Sequence, residues 1–295
     1  MMNVLRILAA CGAVASTIAT ADAQGTDWAK VDGILGRTGA VGGQVHRYGF
    51  PRTDLQVTLD GVTIRPTLAL GGWIAFQPMG TNMAMAMGDL VLLQSEVSPV
   101  MAKLLEGGLE VTALHNHLLR AEPLTFYMHV GGHGDPVKMA ETIKNALSVS
   151  KTPLTAAPAG QPPAIDLDTA QIDQILGAKG TNNGGVLGYG IRRAEPVTDA
   201  GMTIPAAMGS AIGINFQPTG GGKAAITGDF VLVAKEVNPV MKALREHGIE
   251  VTALHNHMVD EQPRLFFVHF WANDDAKKLA QGLRAALDHI NVAKS

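Results

Sequence analysis

The segment EVTALHNH at residues 110–117 returns without a change at residues 250–257, a shift of 140 positions (250 − 110). Self-similarity of this kind constrains architecture more than any local pattern, because each copy must build one unit of the same fold. The same shift pairs Gln77 and Pro78 with Gln217 and Pro218, Gly88 and Asp89 with Gly228 and Asp229, and Glu96 with Glu236. It also pairs Pro99 and Met101 with Pro239 and Met241, and His129 with His269. Further upstream the shift is 141 (189 − 48), matching Tyr48 with Tyr189 and Arg52 with Arg193. A Pro- and Ala-rich stretch at 151–166 reads as a semi-extended linker between repeats at 26–150 and 167–295.

Each repeat has the same expected element order. A helix covers 26–36 in the first copy and opens after Asp168 in the second. Short β-like runs follow, then stronger strands from Asp89 and Asp229. Ser98 with Pro99, and Asn238 with Pro239, have the residue types of an N-cap and a first helical position. Beyond these helices come the EVTALHNH strand, a turn at Pro123 or Pro263, an aromatic-rich strand and a last helix opening near Asp135 or Asp275. The order β-α-β-β-α with extra strands before it predicts an α+β architecture. Two split-βαβ, ferredoxin-like sandwich domains would pack about a pseudo-two-fold axis.

Side chains alternate across a strand, so Val111, Ala113, His115 and His117 share one face. Two imidazoles one residue apart stand roughly 7 Å apart at Cα and can converge on one ion. His115 and His117, with His255 and His257, are therefore expected metal ligands, and imidazole suits Zn, Cu or Fe. A third ligand could come from His129 or His269, from Glu96 or Glu122, or from the other repeat. A hairpin turning near residues 120–121 would set His115 opposite Phe126 and leave His129 roughly 10 Å further along the strand. His129 would then join only through a bulge. The competing reading makes the histidines structural, hydrogen-bonded where the strand leaves the core.

Glu96 and Glu236 are expected as general bases or ligands near the ion, against the alternative of helix-start charges favoured by the dipole. Tyr48 and Arg52, with Tyr189 and Arg193, could bind a small anionic ligand through the planar guanidinium. Surface ion pairs are the plainer use of these arginines. The expected function is thus a metal-dependent hydrolase or redox enzyme, or a non-catalytic module binding a small ligand or an envelope partner.

Arg6, an apolar run from Ile7 to Ala19, and small residues at Ala21 and Ala23 have the layout of a signal peptide over 1–23. A periplasmic or secreted protein is expected, with an apolar run too short for a membrane span. Cys11 is the only cysteine. Most of the apolar run lies after it, so the layout favours soluble export over a lipid anchor at Cys11. Cleavage after Ala23 would leave no thiol for disulfides, nucleophiles or metal ligation. A formal charge of −3 and no run of Lys or Arg argue against a nucleic-acid partner. The oligomeric state stays open.

Taken together, the Gly-Asp strand, Glu-Val-x-Pro-Val-Met, the EVTALHNH segment and the closing aromatic strand ending in His resemble the LppY/LpqO family of bacterial exported domains of unknown function. The segment from Tyr48 to Asp54, and His129 through His133 to Asp135, are similar to its first-copy motifs. The resemblance covers nearly the whole chain after residue 23. It implies a tandem, exported protein and supplies no reaction.

Overall fold

The structure, a computed structural model, describes residues 25–155 and 160–293. The signal-peptide reading at 1–23 and Cys11 lie outside the described residues. So do residues 156–159 of the linker.

The first repeat opens with helix α1 (Trp28–Leu35), and then strands β1 (Ala40–Gly42) and β2 (Val45–Pro51). The long hairpin β3 (Gly71–Gly80) and β4 (Met83–Leu93) follows, then α2 (Gln94–Glu106), β5 (Glu110–His115), β6 (Thr125–Gly134) and α3 (Pro136–Leu147). The second repeat repeats this order with α4 (Thr169–Leu176), β7 (Thr181–Asn183), β8 (Val186–Arg192), β9 (Ala211–Gly220) and β10 (Lys223–Leu232). It closes with α5 (Ala234–Glu246), β11 (Glu250–His255), β12 (Phe266–Asp275) and α6 (Ala276–Leu287). The architecture is mixed α/β in two repeated domains.

Each repeat forms a six-stranded sheet, in the order β1-β2-β3-β4-β6-β5 and likewise β7-β8-β9-β10-β12-β11. All neighbours are antiparallel. The spatial order β4-β6-β5 is that of a split βαβ unit. The slot beside β4, which a strand after the last helix fills in the ferredoxin-like plan, is taken here by β3.

One face of each sheet is covered by helices. In the first repeat Tyr48, Phe50, Ile74, Phe76 and Met128 pack against Val31, Leu35, Val100, Leu104 and Ile143. Burying side chains of this size contributes about 1.5–3 kcal/mol each. The opposite face meets the other repeat: Val45, Ala75, Met85 and Met87 join the core of the second domain. The contact is also polar. Asn256 Nδ2 donates to Thr112 O at 3.0 Å, and Gln217 Nε2 donates to Thr63 O at 2.8 Å.

Helix α2 begins at Gln94, not at Ser98, and Pro99 lies inside it. The equivalent helix α5 begins at Ala234 and contains Pro239. The earlier start follows from Glu96, whose Oε2 accepts from the Leu93 N–H at 2.8 Å and satisfies an orphan donor of the first turn. Glu236 does the same for Val233 at 3.0 Å. Asp135 caps α3 as expected, accepting from Val137 N at 2.8 Å.

Candidate metal centre

The register between β5 and β6 decides which side chains share the face turned toward the other repeat. His115 pairs with Tyr127 and Ala113 with His129. A register placing His115 opposite Phe126 would have put His129 on the helix-covered face, because directly paired residues point the same way and a slip of one inverts the strand. The bulge in this ladder lies between Val111 and Ala113, beyond the histidines. His129 therefore stands beside His115, with Nε2 to Nε2 at 3.0 Å, and not some 10 Å away. The second repeat has the same register, His255 opposite Phe267 and Ala253 opposite His269.

Because the two faces meet, six imidazoles form one cluster, built by both repeats. His115 stacks on His255 with ring centroids 3.4 Å apart. His117 stacks on His269 at 3.7 Å, and reciprocally His129 stacks on His257 at 3.7 Å. His117 also lies on Tyr127 at 3.4 Å, and His257 on Phe267 at 3.3 Å. The reciprocal pairs mark the pseudo-two-fold.

The tautomers follow from the backbone. His269 Nδ1 lies 2.8 Å from Gly228 O, and His255 Nδ1 lies 2.9 Å from Asn256 O. A carbonyl only accepts, so these nitrogens carry the proton and each Nε2 is left with its lone pair. His115 has the same arrangement with Asn116 O at 3.4 Å, and His129 bonds the Gly88 backbone. Nε2 of His117, His255, His257 and His269 is buried with no partner among the described residues. The ligand atoms of His115, His255, His257 and His269 lie within 4.8 Å of one another. Two imidazole nitrogens on one tetrahedral zinc stand about 3.3 Å apart, given Zn–N near 2.0–2.1 Å. The four ligand atoms lie close enough together to be a candidate site for a shared ion.

Electrostatics keep the rings neutral. Burial, and then the neighbouring His255, pull His115 down to about 3, and burial pulls His255 down to about 4. His117, His129, His257 and His269 are held well below the usual imidazole range by burial and by the surrounding rings. Neutral imidazole is the form that ligates metal.

Glu96 and Glu236 are not brought to this cluster. Arg52 Nη1 donates to Glu96 Oε2 at 2.7 Å, and Arg193 Nη1 to Glu236 Oε2 at 2.6 Å. Both pairs are buried, and the carboxylates are occupied as cap and counter-ion. The same contacts take Arg52 and Arg193 away from any ligand: Arg52 also pairs with Asp54, and Arg193 with Glu195. Tyr48 and Tyr189 lie in the cores, bonded through their hydroxyls to Asp32 and Asp173 at 2.8 Å. Glu122 is exposed and pairs through its backbone with Thr58.

Two carboxylates that the motif reading passed over do adjoin the site. Asp89 pairs directly with His129, and Asp229 with His269, each one strand away. Burial and then the nearby Asp229 push Asp89 up to about 8, and burial pushes Asp229 up to about 7. The available signal was an aspartate inside an otherwise apolar strand, present at the same place in both repeats. Its glycine neighbour is a packing requirement: a Cβ on Gly88 would lie 2.6 Å from Trp73 O.

Residues 29–149 and 170–289 each match the family described as Domain of Unknown Function (DUF1259). The chain belongs to this family, in two tandem copies. No curated protein matches it. Among solved structures it is similar to a trimeric bacterial microcompartment shell protein, PduB, at 12% identity over 85% of this chain and 90% of that one. The TM-score is 0.21, too low to carry an argument about fold or function. Among the described residues no helix is long and apolar enough to cross a membrane.

Proposed function

We propose that this tandem DUF1259 protein holds a transition-metal ion, Zn, Cu or Fe, among His115, His117, His129, His255, His257 and His269. The observation that carries the reading is the set of Nε2 lone pairs facing one another inside the fold, with Nδ1 of His255 and His269 clamped to carbonyls. Backbone clamps that fix the tautomer are the usual outer shell of a histidine metal site. Lone pairs opposed at 3.0 Å, as between His115 and His129, repel unless a cation or a proton lies between them. A proton can bridge two neutral rings only if one of them carries it on Nε2, against the Asn116 contact at His115 and the Gly88 bond at His129.

An ion ligated by neutral imidazoles alone keeps its full positive charge and its Lewis acidity. Asp89 and Asp229 line the adjoining space. These features suit a metal-dependent hydrolase or redox enzyme. The layout of residues 1–23 and the likeness to the LppY/LpqO motifs support export to the periplasm or medium without a lipid anchor. Cell fractionation tests that part: a form cleaved after Ala23 in the envelope or medium is expected, and an uncleaved cytosolic chain would refute it.

Elemental mass spectrometry of the tag-free protein tests the metal reading, beside a variant with His115, His117, His255 and His257 changed to Ala. Metal near one equivalent or above, lost in a variant that still shows native circular dichroism, is the expected result. Absence of metal from the parent protein, even after loading with Zn, Cu and Fe, would sink it. The second reading is a non-catalytic small-ligand module, and the cavity beside the cluster favours it.

A further inference from the structure

The cluster obeys the repeat, but the space next to it does not. A cavity of about 330 Å³ runs from His117, His257 and His269 to Arg47 and Trp73, with Asp89 and Asp229 in its wall. In the second repeat the positions of Arg47 and Trp73 are Gly188 and Gly213. One repeat thus supplies a cationic, aromatic wall and the other an open floor.

Arg47 lies flat on Trp73, its guanidinium carbon 3.7 Å from the ring centroid. Its Nη1 donates to Ala207 O at 2.6 Å, across the repeat boundary. Among the described residues the guanidinium makes no ion pair. A guanidinium fork that is stacked, partly desolvated and short of acceptors is a preorganised carboxylate site. The other wall carries the complementary gap. Asp89 is 9% exposed, and its Oδ1 is buried without a hydrogen-bond partner. Asp229 is served by the Gly213 N–H at 3.0 Å. Asp89 and Arg47 both line the cavity and make no direct hydrogen bond with each other; Arg47 is attracted to Asp89 and Asp229 only across the space, which leaves hydrogen-bonding positions that a ligand can fill.

We infer that this cavity binds a small carboxylate that also carries a hydroxyl or ammonium group. The carboxylate takes the donors of Arg47 not used by Ala207, and the second group bonds the Asp89 carboxyl. The volume lies at the small end of ligand cavities, which fits a compact acid and excludes large cofactors. Binding through Arg47 and Asp89 needs no ion in the imidazole cluster.

Calorimetric titration of the full-length mature protein with acetate, glycolate and glycine tests this, run on chelator-treated and on zinc-loaded samples. Glycolate or glycine is expected to bind about threefold to tenfold tighter than acetate, the scale of one hydrogen bond. Which of the two binds identifies the donor group. Arg47→Gln is expected to weaken binding about tenfold to a hundredfold with metal content unchanged. Asp89→Leu, which removes the acceptor, is expected to remove the preference over acetate, and it gives an independent reading if Arg47→Gln does not fold. No binding of any of the three at millimolar concentration, or binding that survives Arg47→Gln intact, would overturn the proposal. If zinc loading fails but the titration behaves as described, the metal reading falls and the carboxylate site stands.

Discussion

Two parallel rows of residues cross the sheets, and their comparison separates what the fold needs twice from what it uses once. In the first repeat the row runs Trp73, Asp89, His129, Ala113 across neighbouring strands. In the second it runs Gly213, Asp229, His269, Ala253. The aspartate, the histidine and the alanine agree, while the outer position changes from the largest side chain to none. The inner positions serve a cluster to which both repeats contribute equally, so a change in either damages the same centre. The outer position serves a cavity that needs only one wall.

The largest expected effect is on the framework common to both repeats. Glu96→Ala and Glu236→Ala should each destabilise the fold by about 3 kcal/mol, because each leaves a buried arginine with only its second carboxylate, Asp54 or Glu195, and also removes a helix cap. Chemical denaturation checks this, and a cost confined to one repeat would break the equivalence. Next, His129→Ala and His269→Ala should each weaken metal binding by about a hundredfold or more, since loss of an outer partner alone costs about 10–100-fold. Competition with a chromogenic chelator measures this, and strongly unequal losses would mean that the ion sits in one half of the cluster.

Gly213→Trp would impose the first row's side chain on the second. A Cβ there meets Asp229 Oδ1 at 2.8 Å, so overpacking should cost about 1–3 kcal/mol. Metal should be retained while carboxylate binding is lost, as elemental analysis and titration of one sample would report.

The smallest effect expected is on the pH profile of the metal-free protein. Imidazoles lowered to about 3 and 4 in the fold, at His115 and His255, stabilise it fully above the ordinary histidine value and lose that contribution as pH falls toward 4 and 3. Asp89, raised to about 8, has the opposite sign: its contribution is complete below the ordinary aspartate value and is lost as pH rises through 8. Asp229, raised to about 7, acts in the same direction, so thermal melts should fall at both ends and Asp89→Asn should lessen the alkaline fall without changing the acid side.

The duplicated His-x-His strand was legible because an unchanged octapeptide and a two-residue period suffice to put both rings on one face. The place of His129 was not, since it turns on one residue of hairpin register, which the connection between residues 116 and 124 sets and no local pattern reveals. In the sequence, a place where a strand meets a helix marks Glu96 as a candidate base or ligand. The residue that claims it, Arg52, reaches it only through the packing of a strand against that helix. Asp89 was visible as a repeated pair with Gly88, but its burial depends on the second repeat covering it. Arg47 and Trp73 are not legible for the opposite reason: they are departures from the repeat, matched by Gly188 and Gly213, and agreement between the copies does not mark them.

The join between the repeats has a consequence for how such a site can change over generations. In a homodimer of one short chain, every substitution appears at both symmetry-related places, and a bulky side chain such as Trp73 would close the rim where Gly213 now leaves room. A single gene encoding both halves releases them from that rule. One rim can gain an arginine and an indole while the other sheds its side chains, and the shared centre between them stays under the same selection from both sides.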